Sequence, residues 1–413
     1  MEIGILTYHC VPNFGAQLQA TSTVGYLRRM GHNPIVLNWY PQDLERMYSK
    51  RIPAAQIAAH DFYTKEFLPI TEICRNEEQL VKVIEEHNLD GIIVGSDALF
   101  KYIPLKNRRY LSKRKLHYIK RNILSVELID GNPFFGGFAA KLSKRIPVVA
   151  YSVSSQNCAY QKMNLEEIKQ MNSMMSNFAA ITVRDEWTKG MVEYVTSNTD
   201  VSVTPDPVFS FNKNCYFKLP TKENIVNKYH LAEKYILISF STWYNSEHYI
   251  HSIATEVEKR GYQAVAFPMP EGLNAAGIET PIPIPLSPID WYALIKYSSG
   301  YIGERMHPIV VCLHNTVPFF CFDEYGTSNK SLWGLKNTFQ IESSKTYHIL
   351  NRAGLNTCMF SYKTKKNFPL PKHILDELLN FHKDTCRLFA IEQQSLYESS
   401  MLQEINCIKK NIK

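Results

Sequence analysis

Two successive series of alternating strand-like and helix-like segments, divided by one polar stretch, constrain the fold of this chain more than any other feature. In the first series, residues 2–8 alternate as a strand, and residues 16–30 carry Leu18, Val24 and Leu27 at helical spacing. Pro34 to Trp39 then forms a second apolar strand. Gly31 stands where a helix C-terminal glycine belongs, because a left-handed residue there needs no Cβ. The series continues with a helix near 77–88, apolar runs at 91–95 and 146–151, a helix near 163–178, and short strands at 180–183 and 201–203. After Pro205-Asp206-Pro207, the polar, lysine-rich residues 211–230 are expected to contain the linker between domains. The second series places strands at 235–240, 264–267, 300–303 and 317–322, with helices near 247–260 and 290–298 and from about Met306. Strands separated by helices predict parallel sheets, so the expected class is α/β with two Rossmann-like domains. Their expected spans are 1–210 and 211–370. A helical tail at 371–413, with Leu375, Leu378, Leu379, Leu388 and Ile391 at helical spacing, is expected to pack back across them.

A chain of 413 residues with 45% hydrophobic and 21% charged residues suits two globular domains. The longest apolar runs are far shorter than the roughly 18 residues of a spanning helix, and the first residues read as a strand rather than a signal peptide. A cytoplasmic location is therefore expected. Nine cysteines at irregular intervals, without a Cys-x-x-Cys pair, read as reduced structural thiols. The net charge of +7 is uneven, since Lys101, Lys106, Arg108, Arg109, Lys113, Arg114, Lys115, Lys120 and Arg121 share a stretch without acids. Residues 101–121 read first as a solvated insertion. The second reading is a surface for an anionic glycan or the phosphate of a lipid-linked acceptor, with peripheral membrane contact; nucleic acid is the least favoured partner.

In open α/β sheets, ligands bind beyond the carboxyl ends of the strands, so residues just after strands are the candidates. Asn13 to Gln19 spans the first strand–helix turn, where Asn13 either caps the helix or meets a ligand and Gly15 allows close backbone approach. The segment lacks the Gly-x-Gly-x-x-Gly pattern of a dinucleotide site. Ser96 and Asp97 follow the run 91–94, as sugar contacts or as a helix cap. Arg184 follows the strand 180–183, where it either forks a carboxylate or phosphate or pairs with a neighbouring acid. Arg305, Met306 and His307 stand at a strand end and helix start. There a fixed positive charge beside a titratable imidazole suits an anionic substrate whose reaction needs a proton, whereas His314 reads as structural. No metal-ligand spacing and no nucleophilic serine motif is present.

In their order, the segments Gly4–His9, Asn13–Gln19, Gly95-Ser96-Asp97, Ala150-Tyr151-Ser152, Thr182–Asp185, Asp206-Pro207, Arg305-Met306-His307 and Val317-Pro318-Phe319 resemble the polysaccharide pyruvyl transferase family over about residues 3 to 335. The resemblance implies two Rossmann-like domains in a GT-B-like arrangement. It also implies transfer of a pyruvyl group from phosphoenolpyruvate to two hydroxyls of a sugar in surface (exo)polysaccharide biosynthesis, forming a cyclic ketal without metal or other cofactor. Arg184 and Arg305, with Met306, then match donor-binding positions, and His307 matches the acid–base residue. Asn13, Gly15, Gln17, Ser96 and Asp97 would face a glycan or lipid-linked oligosaccharide acceptor. Ala98 and Phe100 depart from the glutamine and tryptophan that often follow Gly-Ser-Asp in that family, which implies different acceptor contacts. Two other readings stand beside this one: a GT-B glycosyltransferase using a nucleotide sugar, with Arg305 on the diphosphate, and a non-catalytic glycan-associated protein of the same fold.

Overall fold

A computed structural model describes residues 1–111, 118–241, 245–330, 337–364 and 367–412. In the N-terminal half, strands β1 (Glu2–Leu6), β2 (Asn33–Val36) and β3 (Gly91–Val94) precede a short antiparallel hairpin, β4 (Arg109–Leu111) and β5 (Tyr118–Lys120). Strands β6 (Val148–Val153), β7 (Phe178–Val183) and β8 (Ser202–Val203) complete a parallel sheet of order β2-β1-β3-β6-β7-β8. Helices α1 (Phe14–Arg29), α2 (Gln42–Ser49), α3 (Ala54–Phe67), α4 (Glu77–Glu86), α5 (Leu165–Met175) and α6 (Glu186–Thr196) connect them.

The polar stretch expected to contain the linker folds into α7 (Phe211–Cys215) and α8 (Lys222–Tyr229), because Phe211, Cys215 and Ile225 find a core to enter. The C-terminal sheet follows, with β9 (Tyr235–Ser239), β10 (Gln263–Ala266), β11 (Thr280–Pro281), β12 (Gly300–Glu304) and β13 (Phe319–Asp323). After a second hairpin, β14 (Thr327–Lys330) and β15 (Asn337–Gln340), strand β16 (Met359–Ser361) closes a parallel sheet of order β11-β10-β9-β12-β13-β16. Its helices are α9 (Glu247–Lys259), α10 (Pro288–Tyr297), α11 (Met306–Asn315), α12 (Lys345–Arg352) and α13 (Pro371–Leu379), and α14 (Lys383–Asn411) ends the chain.

Both sheets are covered on both faces, which is why their central strands are unbroken apolar runs rather than alternating ones. In the first sheet, Leu6, Ile92 and Val94 pack with Leu80 and Ile84 of α4 and Met171 of α5. On the opposite face, Ile3, Ile5 and Ile93 meet Val24 and Leu27 of α1 and Tyr397, Met401 and Ile405 of α14. The second sheet is sandwiched in the same way, with α9 and α13 on one face and α10 and α11 on the other.

The core does not stop at the boundary between the halves. Phe14 of α1 stacks on Trp291 of α10 with ring centroids 5.2 Å apart, and both share one apolar cluster with Leu18, Tyr63 and Met306. Helix α14 also reaches both halves: Cys386 and Phe389 enter this shared cluster, and Tyr397 to Ile408 enter the core of the first sheet. The helical spacing of Leu388 and Ile391 does not mark its buried face, since they are 66% and 55% exposed; Cys386, Phe389, Ala390 and Gln393 face inward instead. No described helix is long and apolar enough to cross a membrane.

Candidate active site between the two sheets

The order of each sheet reverses at one point, between β1 and β3 in the first and between β9 and β12 in the second, and a crevice opens at the carboxyl edge there. The two crevices face each other across a shared cavity of about 210 Å³. Asn13, Gly15 and Asp97 line it from the first half, and Arg305, Met306 and His307 line it from the second. Its volume is below the roughly 300–1,000 Å³ usual for drug-sized ligands, so it suits a small molecule or one group of a larger one.

Three helices begin at this cavity. Helix α1 starts at Phe14, with Asn13 capping it by accepting a hydrogen bond from the Ala16 N–H at 3.2 Å. Helix α11 starts at Met306 without a side-chain cap, which leaves its first N–H groups open to a ligand. Helix α12 starts at Lys345, behind the capping residue Ser344. The positive ends of these helices add to the charges of Arg305 and Lys345, which makes the cavity a site for anions.

His307 lies flat against the α1 backbone. A Cβ built on Gly15 would stand 2.0 Å from His307 Cγ and 2.2 Å from its Nδ1, so only glycine lets the imidazole occupy this place. Burial lowers the His307 pKa to about 4, with Asp97 and Asp206 opposing the shift and Lys345 and Arg184 reinforcing it. The ring is therefore neutral at pH 7. Its Nε2 is buried and has no hydrogen-bond partner among the described residues.

Arg305 adopts φ +78°, a region that costs a residue with a Cβ about 1–3 kcal/mol, and Tyr301 Oη holds the turn by donating to the Glu304 carbonyl at 2.7 Å. The guanidinium Nη2 pairs with Glu271 at 3.0 Å, whereas its Nε is buried and has no hydrogen-bond partner among the described residues. A strained, charged residue directly preceding a helix is a common arrangement at ligand sites.

Several residues expected at the site lie behind its wall. Arg184 is buried, donates from Nη1 to Asp206 at 2.9 Å and lies 3.7 Å from Asp97, so the ion-pair alternative describes its geometry. Gln17 points into the interior, where Nε2 donates to Thr64 Oγ1 at 2.7 Å and to the His60 carbonyl at 3.1 Å. Ser96 Oγ donates to the Ser152 carbonyl at 2.8 Å. Both sit where the fold needs a hydrogen bond between segments distant in sequence. His314 is half-buried beside Phe209 and accepts from the Asn212 N–H, as a structural histidine does.

Tyr8 of the segment Gly4–His9 also lines the cavity, as do Tyr48, Trp291, Tyr325 and Lys345, which no motif singled out. Tyr48 lies on α2, a helix unseen in the sequence pattern, and Tyr325 and Lys345 follow β13, whose carboxyl end is the one usable signal. Among the described residues, no group of three or more histidine, cysteine, aspartate or glutamate side chains is placed to hold a metal ion.

Solved structures with this architecture include the UDP-GlcNAc 2-epimerase from Neisseria meningitidis bound to UDP-GlcNAc, with a TM-score of 0.58, 11% identity and all of both chains covered. The UDP-GlcNAc 2-epimerase from Methanocaldococcus jannaschii has a TM-score of 0.55 and 10% identity, over 93% of this chain and 94% of that one. The forosaminyltransferase SpnP has a TM-score of 0.51 and 10% identity, over 98% of this chain and 99% of that one. At such identities the likeness is one of fold, two Rossmann-like sheets in the GT-B arrangement. A comparison with curated protein sequences found no match. Residues 13–324, which include most strands of both sheets and all residues lining the cavity except Tyr8, Val11, Tyr325 and Lys345, match the family described as "Polysaccharide pyruvyl transferase". By that match over most of its length, the chain belongs to the polysaccharide pyruvyl transferase family.

Proposed function

We propose that the cavity binds phosphoenolpyruvate and transfers its pyruvyl group to two hydroxyls of one sugar of a glycan, releasing phosphate. The observation that carries this reading is a neutral, half-buried imidazole with an unpartnered Nε2, set beside Arg305 among three helix N-termini. Such a site binds a small anion and moves a proton next to it. In the reaction, the methylene carbon of the donor gains a proton and C2 becomes electrophilic. One sugar hydroxyl adds to C2, and a second displaces phosphate, which leaves with the electrons of its C–O bond. The two hydroxyls lose two protons; one is now in the new methyl group and the other is on the phosphate. His307 is the base for the first hydroxyl, and the negative charge of the bound donor raises its proton affinity enough for it to pass that proton on. Arg305 stabilises the departing phosphate.

The acceptor reading is supported by a groove of about 520 Å³ that shares Gln156 with the cavity and is lined by Lys101, Arg121 and Lys162. It runs towards the basic stretch 101–121, of which residues 112–117, including Lys113, Arg114 and Lys115, lie outside the described residues. Arg108 stacks on Tyr102 and donates to the Ile103 carbonyl, so its role includes holding the stretch together. Lys106, Arg109 and Lys120 are exposed, which favours the reading of this face as a contact for a lipid-linked, phosphate-bearing acceptor at a membrane surface inside the cell. Replacing these three by glutamine is expected to weaken binding to vesicles containing anionic lipid by roughly 100-fold, at about 1 kcal/mol per charge, with an unchanged melting temperature. Co-sedimentation of both proteins at fixed ionic strength measures the effect.

The decisive assay is phosphate release from phosphoenolpyruvate in the presence of candidate lipid-linked and free saccharides. Turnover of a nucleotide sugar, with none of phosphoenolpyruvate, would overturn the proposal. Gly15→Ala tests the geometry within the same assay. The new methyl group must push the imidazole from its place, and a displacement near 1 Å is expected to cost about 100-fold in turnover. Because Gly15 lies in a helix at ordinary φ, the melting temperature should move little by comparison.

A further inference from the structure

Lys345 is the one cavity-lining charge that neither the sequence motifs nor the matched segment contains. It is buried at 7% exposure and occupies the first position of α12. Its place is fixed: Ser344 caps α12 through the Tyr347 N–H and donates from Oγ to Asp323 at 2.7 Å, which ties the helix start to the end of β13. The ammonium lies over the Tyr325 ring, 4.9 Å from its centroid. Among the described residues, no carboxylate comes within ion-pair distance of it. Asp97 and Asp185 act on it from a distance, as do the like charges of Arg184 and Arg305.

Burying an ammonium without a counterion is costly, and one aromatic face offsets only part of the cost. Such a group persists where an anion enters to complete it. Resting on the reading above, in which the substrate is a small acid with a carboxylate at one end and a phosphate at the other, we infer that Lys345 is a second cationic binding residue of this cavity and holds one end of that acid while Arg305 meets the other. Burial, reinforced by Arg184, lowers the Lys345 pKa to about 8, so Lys345 loses its charge as the pH rises through that value. The groups facing it from the packed elements are Asp97 after β3, Arg184 and Asp185 after β7, Arg305 before α11, and Tyr325 after β13.

The test combines kinetics with chemical protection of the full-length protein. Lys345→Met is expected to raise the KM for phosphoenolpyruvate about 10- to 100-fold, as loss of a charge-assisted contact does, with a smaller change in kcat. Lys345→Arg should keep KM within several-fold of wild type and remove the fall in kcat/KM near pH 8, since a guanidinium stays charged. In wild type, inorganic phosphate should slow acylation of Lys345 by an amine-reactive ester, read by peptide mass spectrometry. Unchanged KM and an unchanged alkaline limb in both variants, or acylation of Lys345 indifferent to phosphate, would overturn the inference. The two readings fail separately. Phosphate protection without any turnover of phosphoenolpyruvate leaves the anion site standing and removes the pyruvyl-transfer reading. Turnover that is indifferent to both substitutions does the reverse.

Discussion

His307→Ala should lower turnover by about 10²- to 10⁴-fold, the usual contribution of a positioned acid–base group, while leaving the fold intact. The expectation follows from its position. The imidazole contacts a glycine backbone on one side and the cavity on the other, and its Nε2 serves no structural partner, so removing it enlarges an existing space without breaking a network. The pH profile provides a second check. A neutral imidazole acts as the base, so kcat/KM should fall as the pH drops through the depressed pKa near 4. Stability has the same sign. The unfolded imidazole takes up a proton near its ordinary value of about 6.5, the folded one only near 4, so His307 destabilises the fold progressively as the pH falls between them. The alanine variant should lack that increment. Steady-state phosphate release and thermal melts across pH measure both effects, and near-normal turnover by the variant would remove His307 from the chemistry.

Arg184→Met should be the most damaging to stability, by about 3 kcal/mol or more, with a drop in melting temperature of roughly 6–12 °C. The guanidinium is 3% exposed and bonds to Asp206 at 2.9 Å, and Asp206 is itself fully buried. Removing the arginine leaves an uncompensated buried carboxylate, cushioned by the Gln19 Nε2 at 2.5 Å and the Val208 N–H at 3.0 Å. Adding Asp206→Asn should recover part of the loss, because the amide carries no charge to strand. An unchanged melting temperature with a raised donor KM would instead return Arg184 to the role of a substrate contact. The ion pair matters to the site as well, since Arg184 also faces Asp97, a cavity residue, at 3.7 Å.

The strand–helix alternation was enough to place the centres of most major strands, because central parallel strands are apolar on both faces and leave an unmistakable run. Shorter elements escaped. Strands β11 and β16 have two and three residues, and α2 and α3 fill what reads as loop between β2 and α4. The polar stretch 211–230 became helices because a few apolar residues in it reach a core built by both halves. In α14, two opposed faces carry apolar residues, and only the sheet beneath decides which is buried. The exposed Leu388 and Ile391 match a helical period as well as the buried Phe389 and Tyr397 do.

By itself, then, the sequence determined the class of fold, its two halves and the turns that border the shared cavity, because periodicity and glycine placement are local properties. It also located Asn13, Gly15, Asp97, Arg305, Met306 and His307 at those turns. Which side chains face the shared cavity was decided only by tertiary structure. Gln17, Ser96 and Arg184 belong to equally suggestive motifs, yet turn inward to satisfy buried donors and charges. Lys345, in no motif, turns outward into the cavity. The physical reason is that a polar side chain next to a crevice has two outlets, a ligand or a buried partner, and the partner comes from segments far away in sequence: Thr64 for Gln17, Ser152 for Ser96 and Asp206 for Arg184.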